Sequence, residues 1–226
     1  MDLWEASLHF VKTLAWIYDN LNLGGIIMSI SLEKGQRISL TKGNAELDKI
    51  MVGLGWDPVS SGGNFFGKLF NKVSDIDIDA SVFMLETNDR LSKKRDLIYY
   101  GNLKSKHKSV VHQGDNLTGA GEGDDESIKL HLSKIPERIK KLVFVVNIYD
   151  CIRRKQNFGM VENAFIRIKD LEKGSELLRF NLTDQYKGKT AVFVAEIYRD
   201  NDDWKFAAIG EGTDHTNLTE MKQRYM

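Results

Sequence analysis

The stretch Asp75-Ile76-Asp77-Ile78-Asp79-Ala80-Ser81-Val82-Phe83-Met84-Leu85 alternates acid with aliphatic and then continues in β-prone residues. A period of two marks a β-strand, whose successive side chains point to opposite faces of a sheet. The alternation puts Asp75, Asp77 and Asp79 on one face and Ile76, Ile78 and Ala80 on the other. Three carboxylates in a row along one face repel one another unless a cation or a cluster of donors lies over them. The competing reading is a solvent-facing edge on which acids discourage further pairing.

The same acids, with Glu86 at the twelfth position, match the spacing of an EF-hand loop. Two features exclude that motif. The sixth position is Ala80, where the sharp turn requires glycine. The flanks are also not helical: Ser81–Leu85 continues as a strand, and Gly62-Gly63-Asn64-Phe65-Phe66-Gly67 upstream has no helical pattern.

Working outward, the texture from Met28 onward is one of short alternating runs. Strands are expected at 30–32, 37–41, 48–54, 78–86, 97–100, 109–112, 128–132, 142–149, 164–168, 176–181, 190–198 and 205–209. Turn residues separate them at Lys42-Gly43-Asn44, Glu172-Lys173-Gly174, Lys187-Gly188 and Asn201-Asp202-Asp203. Many short strands with frequent turns predict an all-β fold, a β-sandwich of two antiparallel sheets with few short helices. One helix is expected at 136–141, opened by Pro136, and one at 218–225. Residues 58–74 read as a Gly-rich loop with room for one helical turn.

The chain has 226 residues, which suits one domain with a small appendage. Residues 1–27 stand apart from residues 28–226, the sandwich domain. Leu3, Phe10, Leu14, Ile17 and Leu21 fall at helical spacing, and Gly24-Gly25 ends the pattern. This segment reads either as an N-terminal helical extension or as upstream sequence from an early start codon; the second reading is preferred, because the sandwich pattern starts only at Ile30. The start Met1-Asp2-Leu3-Trp4-Glu5 is acidic, unlike a secretory leader, and no apolar run approaches a membrane span. Lys and Arg total 32, as do Asp and Glu, so no net charge steers the chain toward nucleic acid. The single cysteine, Cys151, permits no internal disulfide and accords with a reducing compartment.

Against that neutral background, one segment concentrates negative charge: Gly114-Asp115-Asn116-Leu117-Thr118-Gly119-Ala120-Gly121-Glu122-Gly123-Asp124-Asp125-Glu126. No Lys or Arg occurs between Lys108 and Lys129. Its acids repel and its glycines give no stiffness, and a bound hard cation would relieve both problems. The loop has no cysteine, and His112 lies just before it, which disfavours softer metals. A solvated, mobile acidic loop is the plainer alternative.

Several pieces together carry a resemblance. They are Ile30–Leu40, Val52-Gly53-Leu54-Gly55-Trp56-Asp57, Asp77–Ser81, His112–Glu126 and Val161–Arg167. They resemble the TerD-type tellurium-resistance and stress-response family over residues 28–226, and the Gly-Gly-Asn-Phe-Phe-Gly-Lys-Leu-Phe segment at 62–70 is similar to its TerZ-like branch. The resemblance implies a cytoplasmic β-sandwich that binds Ca²⁺, with two adjacent ions expected. It implies Asp75, Asp77, Asp79, Asp115, Asn116, Asp124, Asp125 and Glu126 as ligands, with Thr118, Gly119 and Gly121 giving hydroxyl or backbone oxygens. It further implies, as partners, other family members and a membrane-embedded tellurium-resistance protein.

A non-catalytic role is therefore expected. The alternatives are a divalent-metal-dependent enzyme of phosphoryl chemistry or a nucleotide-binding module using the same carboxylates. Both are disfavoured, because Gly119-x-Gly121-x-Gly123 leads into acids where a phosphate cradle needs lysine. Trp56 and Trp204 read as packing residues, and His107, His112 and His131 as exposed or hydrogen-bonded rather than metal-bound.

Overall fold

The computed structural model describes residues 29–58, 76–114, 123–182 and 186–226. The possible helix at 1–27 and most of the Gly-rich stretch at 58–74 lie outside them. Among the described residues twelve strands form: β1 (Ile30–Leu32), β2 (Arg37–Ser39), β3 (Lys49–Pro58), β4 (Ile78–Glu86), β5 (Leu97–Ile98), β6 (Val110–His112), β7 (Glu126–His131), β8 (Ile139–Ile148), β9 (Val161–Asp170), β10 (Glu176–Asn181), β11 (Ala191–Asp200) and β12 (Asp203–Thr213). The first sheet runs β1-β10-β9-β3-β7-β6 and the second β2-β12-β11-β8-β4-β5. Each predicted strand is present. The sheets are antiparallel except at one edge, where β1 pairs parallel to β10 with Ile30 beside Leu178.

The expected helix at 136–141 does not form. Residues 136–138 make a turn closed by Ile139 N–H to Pro136 O at 2.8 Å, and β8 starts at once. The reason is tertiary: Ile139 and Leu142 are fully buried in a strand that pairs on both sides. A short helix that the sequence did not reveal, α1 (Cys151–Arg154), lies between left-handed Asp150 and Lys155. The C-terminal helix is present as α2 (Leu218–Met221) followed by a 3-10 turn over Lys222–Tyr225.

Period-two alternation divides each strand between two environments. Ile50, Val52, Leu54 and Trp56 of β3 join Ile78, Ala80, Val82 and Met84 of β4 and Leu142, Phe144, Val146 and Ile148 of β8 in the main core between the sheets. The other face of β4 and β8 has its own cover. Phe83, Leu85, Val143, Val145 and Phe193 pack against Met221 and Tyr225 of the C-terminal segment. The Tyr225 ring lies 5.5 Å from Phe83 and 6.2 Å from Phe193, centroid to centroid. The outer face of the second sheet is therefore apolar at one end and acidic at the other, where Asp77 and Asp79 lie.

On the first sheet, two glycines of β3 let a neighbouring segment lie flat. A Cβ at Gly53 would stand 2.2 Å from the Asp124 carboxylate, and one at Gly55 2.5 Å from the Phe165 ring and 2.7 Å from Gly123 O. Only at Gly55 is a backbone atom in the way, so the clash cannot be relieved by rotating a side chain. Gly55→Ala should destabilise the protein by about 1–3 kcal/mol, read as a lower urea midpoint with an unchanged slope. An unaltered midpoint would show that residues 123–125 do not lie against β3.

Candidate functional site

Where β7 begins, residues 124–126 anchor the second half of the acidic loop to the first sheet. Asp125 extends the pairing beyond the last β3–β7 partners, Leu54 and Glu126. Its N–H donates to Leu54 O at 2.8 Å, and Trp56 N–H donates to its Oδ2 at 2.8 Å. Burial pushes the Asp125 carboxyl above its usual range; Trp56 N–H opposes this, while the charges of Asp57 and Asp124 add to it. Asp57 is held by Asn163, whose Nδ2 donates to Oδ2 at 2.9 Å from a left-handed backbone position.

Asp124 turns to the outer face, over Gly53, where Arg167 Nε donates to its Oδ1 at 2.7 Å. The same guanidinium reaches Glu176 Oε2 at 3.1 Å. Burial works against the Arg167 charge, but the two carboxylates outweigh it and its pKa is raised.

Glu126 points the other way, into the sandwich, and is 1 % exposed. Its Oε2 lies 3.0 Å from Nε2 of His112, itself 3 % exposed. Gly114 N–H donates to His112 Nδ1 at 3.2 Å, so Nδ1 is the acceptor and Nε2 carries the proton. That Nε2–H is also 3.1 Å from Ala80 O on β4. One imidazole therefore ties together both sheets and the base of the acidic loop.

Across this link, Asp77 and Asp79 lie on the outer face of the second sheet. Each is 7 % exposed, so the solvent-facing edge considered from the sequence is not what forms. Ile76, Ile78 and Ala80 face the core, as the alternation predicts. Asp77 O accepts from Tyr149 N–H at 2.8 Å, and its Oδ2 is 3.8 Å from an Arg154 nitrogen. Asp79 is paired in register with Asn147 of β8, and Ser81 follows on the same face.

Of the residues expected to bind metal, five are thus described: Asp77 and Asp79 on one sheet, and Asp124, Asp125 and Glu126 on the other. Asp75, Asp115, Asn116, Thr118, Gly119 and Gly121 lie outside the described residues. Among the described residues, no three His, Cys, Asp or Glu side chains form a metal-holding group. Asp124 is engaged by Arg167, a pairing that nothing in the local sequence signals. Ser81 could have been foreseen, because it continues the period-two face of Asp77 and Asp79. Asn147 could not, because only sheet pairing brings it beside Asp79. Trp56 and Trp204 are each 5 % exposed and belong to the core. Cys151 is buried, which raises its thiol pKa and suits a structural role.

The raised Asp125 pKa has a consequence for stability. A carboxyl whose folded pKa lies above its unfolded value favours the fold at low pH, and that contribution is lost as pH rises through the folded pKa. Asp125→Asn keeps an acceptor for Trp56 N–H and removes the charge. In EDTA the variant should melt at or above the wild type at pH 7, and the difference should vanish near pH 3, below the unfolded carboxyl range. A variant less stable than the wild type at pH 7 would contradict the repulsion among Asp57, Asp124 and Asp125.

The described residues contain no helix long and apolar enough to cross a membrane. The family model for the TerD domain matches residues 28–225. Stress response protein SCP2 of Bacillus subtilis (strain 168) is 60 % identical over 200 residues, covering 88 % of this chain and all of that protein. Tellurium resistance protein TerD of Serratia marcescens is 43 % identical over 185 residues, covering 82 % of this chain and 91 % of its own. Identity to tellurium resistance protein TerZ of the same organism, 40 %, is no higher, and the 62–70 segment behind the TerZ-like resemblance lies outside the described residues. A solved homologue of telluride resistance protein from Streptomyces coelicolor A3(2) superposes with a TM-score of 0.61 at 19 % identity, covering 80 % of this chain and 98 % of that one, and so shares the fold. With a domain match across nearly the whole sandwich and relatives well above 30 % identity, the chain belongs to the TerD-domain family of tellurium-resistance and stress-response proteins.

Proposed function

We propose that this protein is a cytoplasmic, calcium-binding member of its family that acts by assembly with partners rather than by catalysis. The observation that carries the reading is the carboxylate crowding at the root of the acidic loop. Asp125 is pushed up by burial and by two neighbouring carboxylates, in a segment that holds five acids and no base. Such a site gains most from a divalent ion with oxygen ligands. Asp77, Asp79, Asp125 and Glu126 would contribute from the two sheets, with Asp75, Asp115, Asn116, Thr118, Gly119 and Gly121 completing the set for one or two ions. Asp124 would contribute only on leaving Arg167. An ion held there would neutralise the carboxylates. Divalent-metal enzymology and nucleotide binding have no comparable observation behind them.

Calorimetric titration tests the reading. Ca²⁺ is expected to bind in the micromolar range or tighter and Mg²⁺ much more weakly, because many flexible oxygens suit the larger ion. Asp77→Asn should weaken Ca²⁺ binding while the apo protein stays folded. No heat with Ca²⁺, equal affinity for Mg²⁺, or wild-type binding by the variant would each count against the site. The proposed partners are other members of the family and a membrane-embedded tellurium-resistance protein. Cross-linking in tellurite-stressed cells followed by mass spectrometry tests that part separately.

A further inference from the structure

The outer face of the second sheet carries a cleft of about 560 Å³. Asp79, Ser81 and Asn147 form its buried part, and Tyr99, Tyr100 and Tyr149 its more open sides. Ser81 is 1 % exposed and Asn147 5 %, yet Ser81 Oγ and Asn147 Oδ1 have no hydrogen-bond partner. A fold that leaves two buried oxygens unsatisfied beside a carboxylate is under-supplied with donors at that spot. The register makes them one constellation: Asn147 stands opposite Asp79 across β4 and β8, and Ser81 is the next residue along the same face.

We propose that this cleft binds a small organic molecule through a primary ammonium group, whose three N–H donors meet the Asp79 carboxylate, Asn147 Oδ1 and Ser81 Oγ. The charge has the right sign. Asp79 and Asp150 line the cleft, with Lys222 as the single basic side chain among the described lining residues. The walls suit an organic cation, because ring faces attract positive charge. Tyr149 already carries the Arg154 guanidinium 5.4 Å from its centroid, and Tyr99 and Tyr100 pack edge to face at 5.2 Å. The size argues against a bare metal ion. The volume falls within the range of small-molecule pockets, far more space than one ion with its ligands fills, and the tyrosine rings give it apolar walls. The cleft shares Asp79 with the proposed calcium set, so the two cations would compete for that carboxylate, whereas Ser81, Asn147 and the tyrosines have no part in the calcium reading.

Titration of the full chain with butylamine, followed by amide NMR in EDTA, tests the proposal independently of calcium. Saturable shifts are expected at Ser81, Asn147 and Tyr149. Ser81→Ala removes one oxygen without adding bulk and should weaken binding by about tenfold or more, as should Asn147→Leu. Butanol and trimethylbutylammonium, which lack the charge and the N–H donors respectively, should bind far more weakly. The proposal is overturned by an absence of saturable shifts up to about 10 mM, by undiminished affinity of the folded Ser81→Ala variant, or by equal binding of the trimethyl analogue.

Discussion

Replacing His112 with alanine should cost the fold about 3–5 kcal/mol, a large share of the roughly 5–15 kcal/mol that holds a domain together. The substitution leaves the Glu126 carboxylate, 1 % exposed, without its imidazole partner, and removes the donor that reaches Ala80 O in the opposite sheet. For a chain of this length the melting temperature should fall by roughly 6–20 °C. The cause is a buried carboxylate that loses one of its partners, so removing the carboxylate as well should restore much of the loss. His112→Leu/Glu126→Leu should therefore be clearly more stable than His112→Leu alone. Thermal and urea unfolding in EDTA measure both. A His112→Ala variant within about 1 kcal/mol of the wild type, or a double variant weaker than the single, would show that this pair does not join the sheets.

Saturating Ca²⁺ should raise the stability of the wild-type protein by about 2.7 kcal/mol per site at a hundredfold excess over the dissociation constant. That corresponds to a rise of roughly 5–10 °C per site. The origin is linkage: the ion would bind carboxylates whose positions are fixed only in the folded chain, Asp77 and Asp79 on one sheet and Asp125 and Glu126 on the other. Calorimetric scans with Ca²⁺ and with EDTA make the comparison, and Asp77→Asn should shrink the shift. Identical melting curves in the two buffers would remove calcium from the folded structure. Because His112 sits at the base of the loop, the two predictions also meet: the calcium-induced shift should be smaller in His112→Ala than in the wild type. That follows from the 3.2 Å bond through which His112 holds Gly114 at the start of the loop.

The alternation of Asp77-Ile78-Asp79-Ala80 by itself determined β4, its register of inward and outward residues, and, with eleven similar runs, a two-sheet all-β fold. Such patterns are local, because a strand's side chains alternate whatever its partner is. The acidic Gly loop and the family resemblance were legible for the same reason. What tertiary structure decided was the environment that each pattern enters. It made 139–148 a strand where Pro136 and the following lysines read as a helix, because β4 and β11 on either side supply hydrogen bonds that an exposed helical turn lacks. It buried Asp77 and Asp79 under elements remote in sequence, and sent Asp124, Asp125 and Glu126 in three directions, toward Arg167, the β3 backbone and His112. It also set Asn147 beside Asp79, a juxtaposition of residues 68 positions apart that exists only through antiparallel pairing. Local periodicity specifies which face a residue occupies; only the packed sheets decide what that face meets.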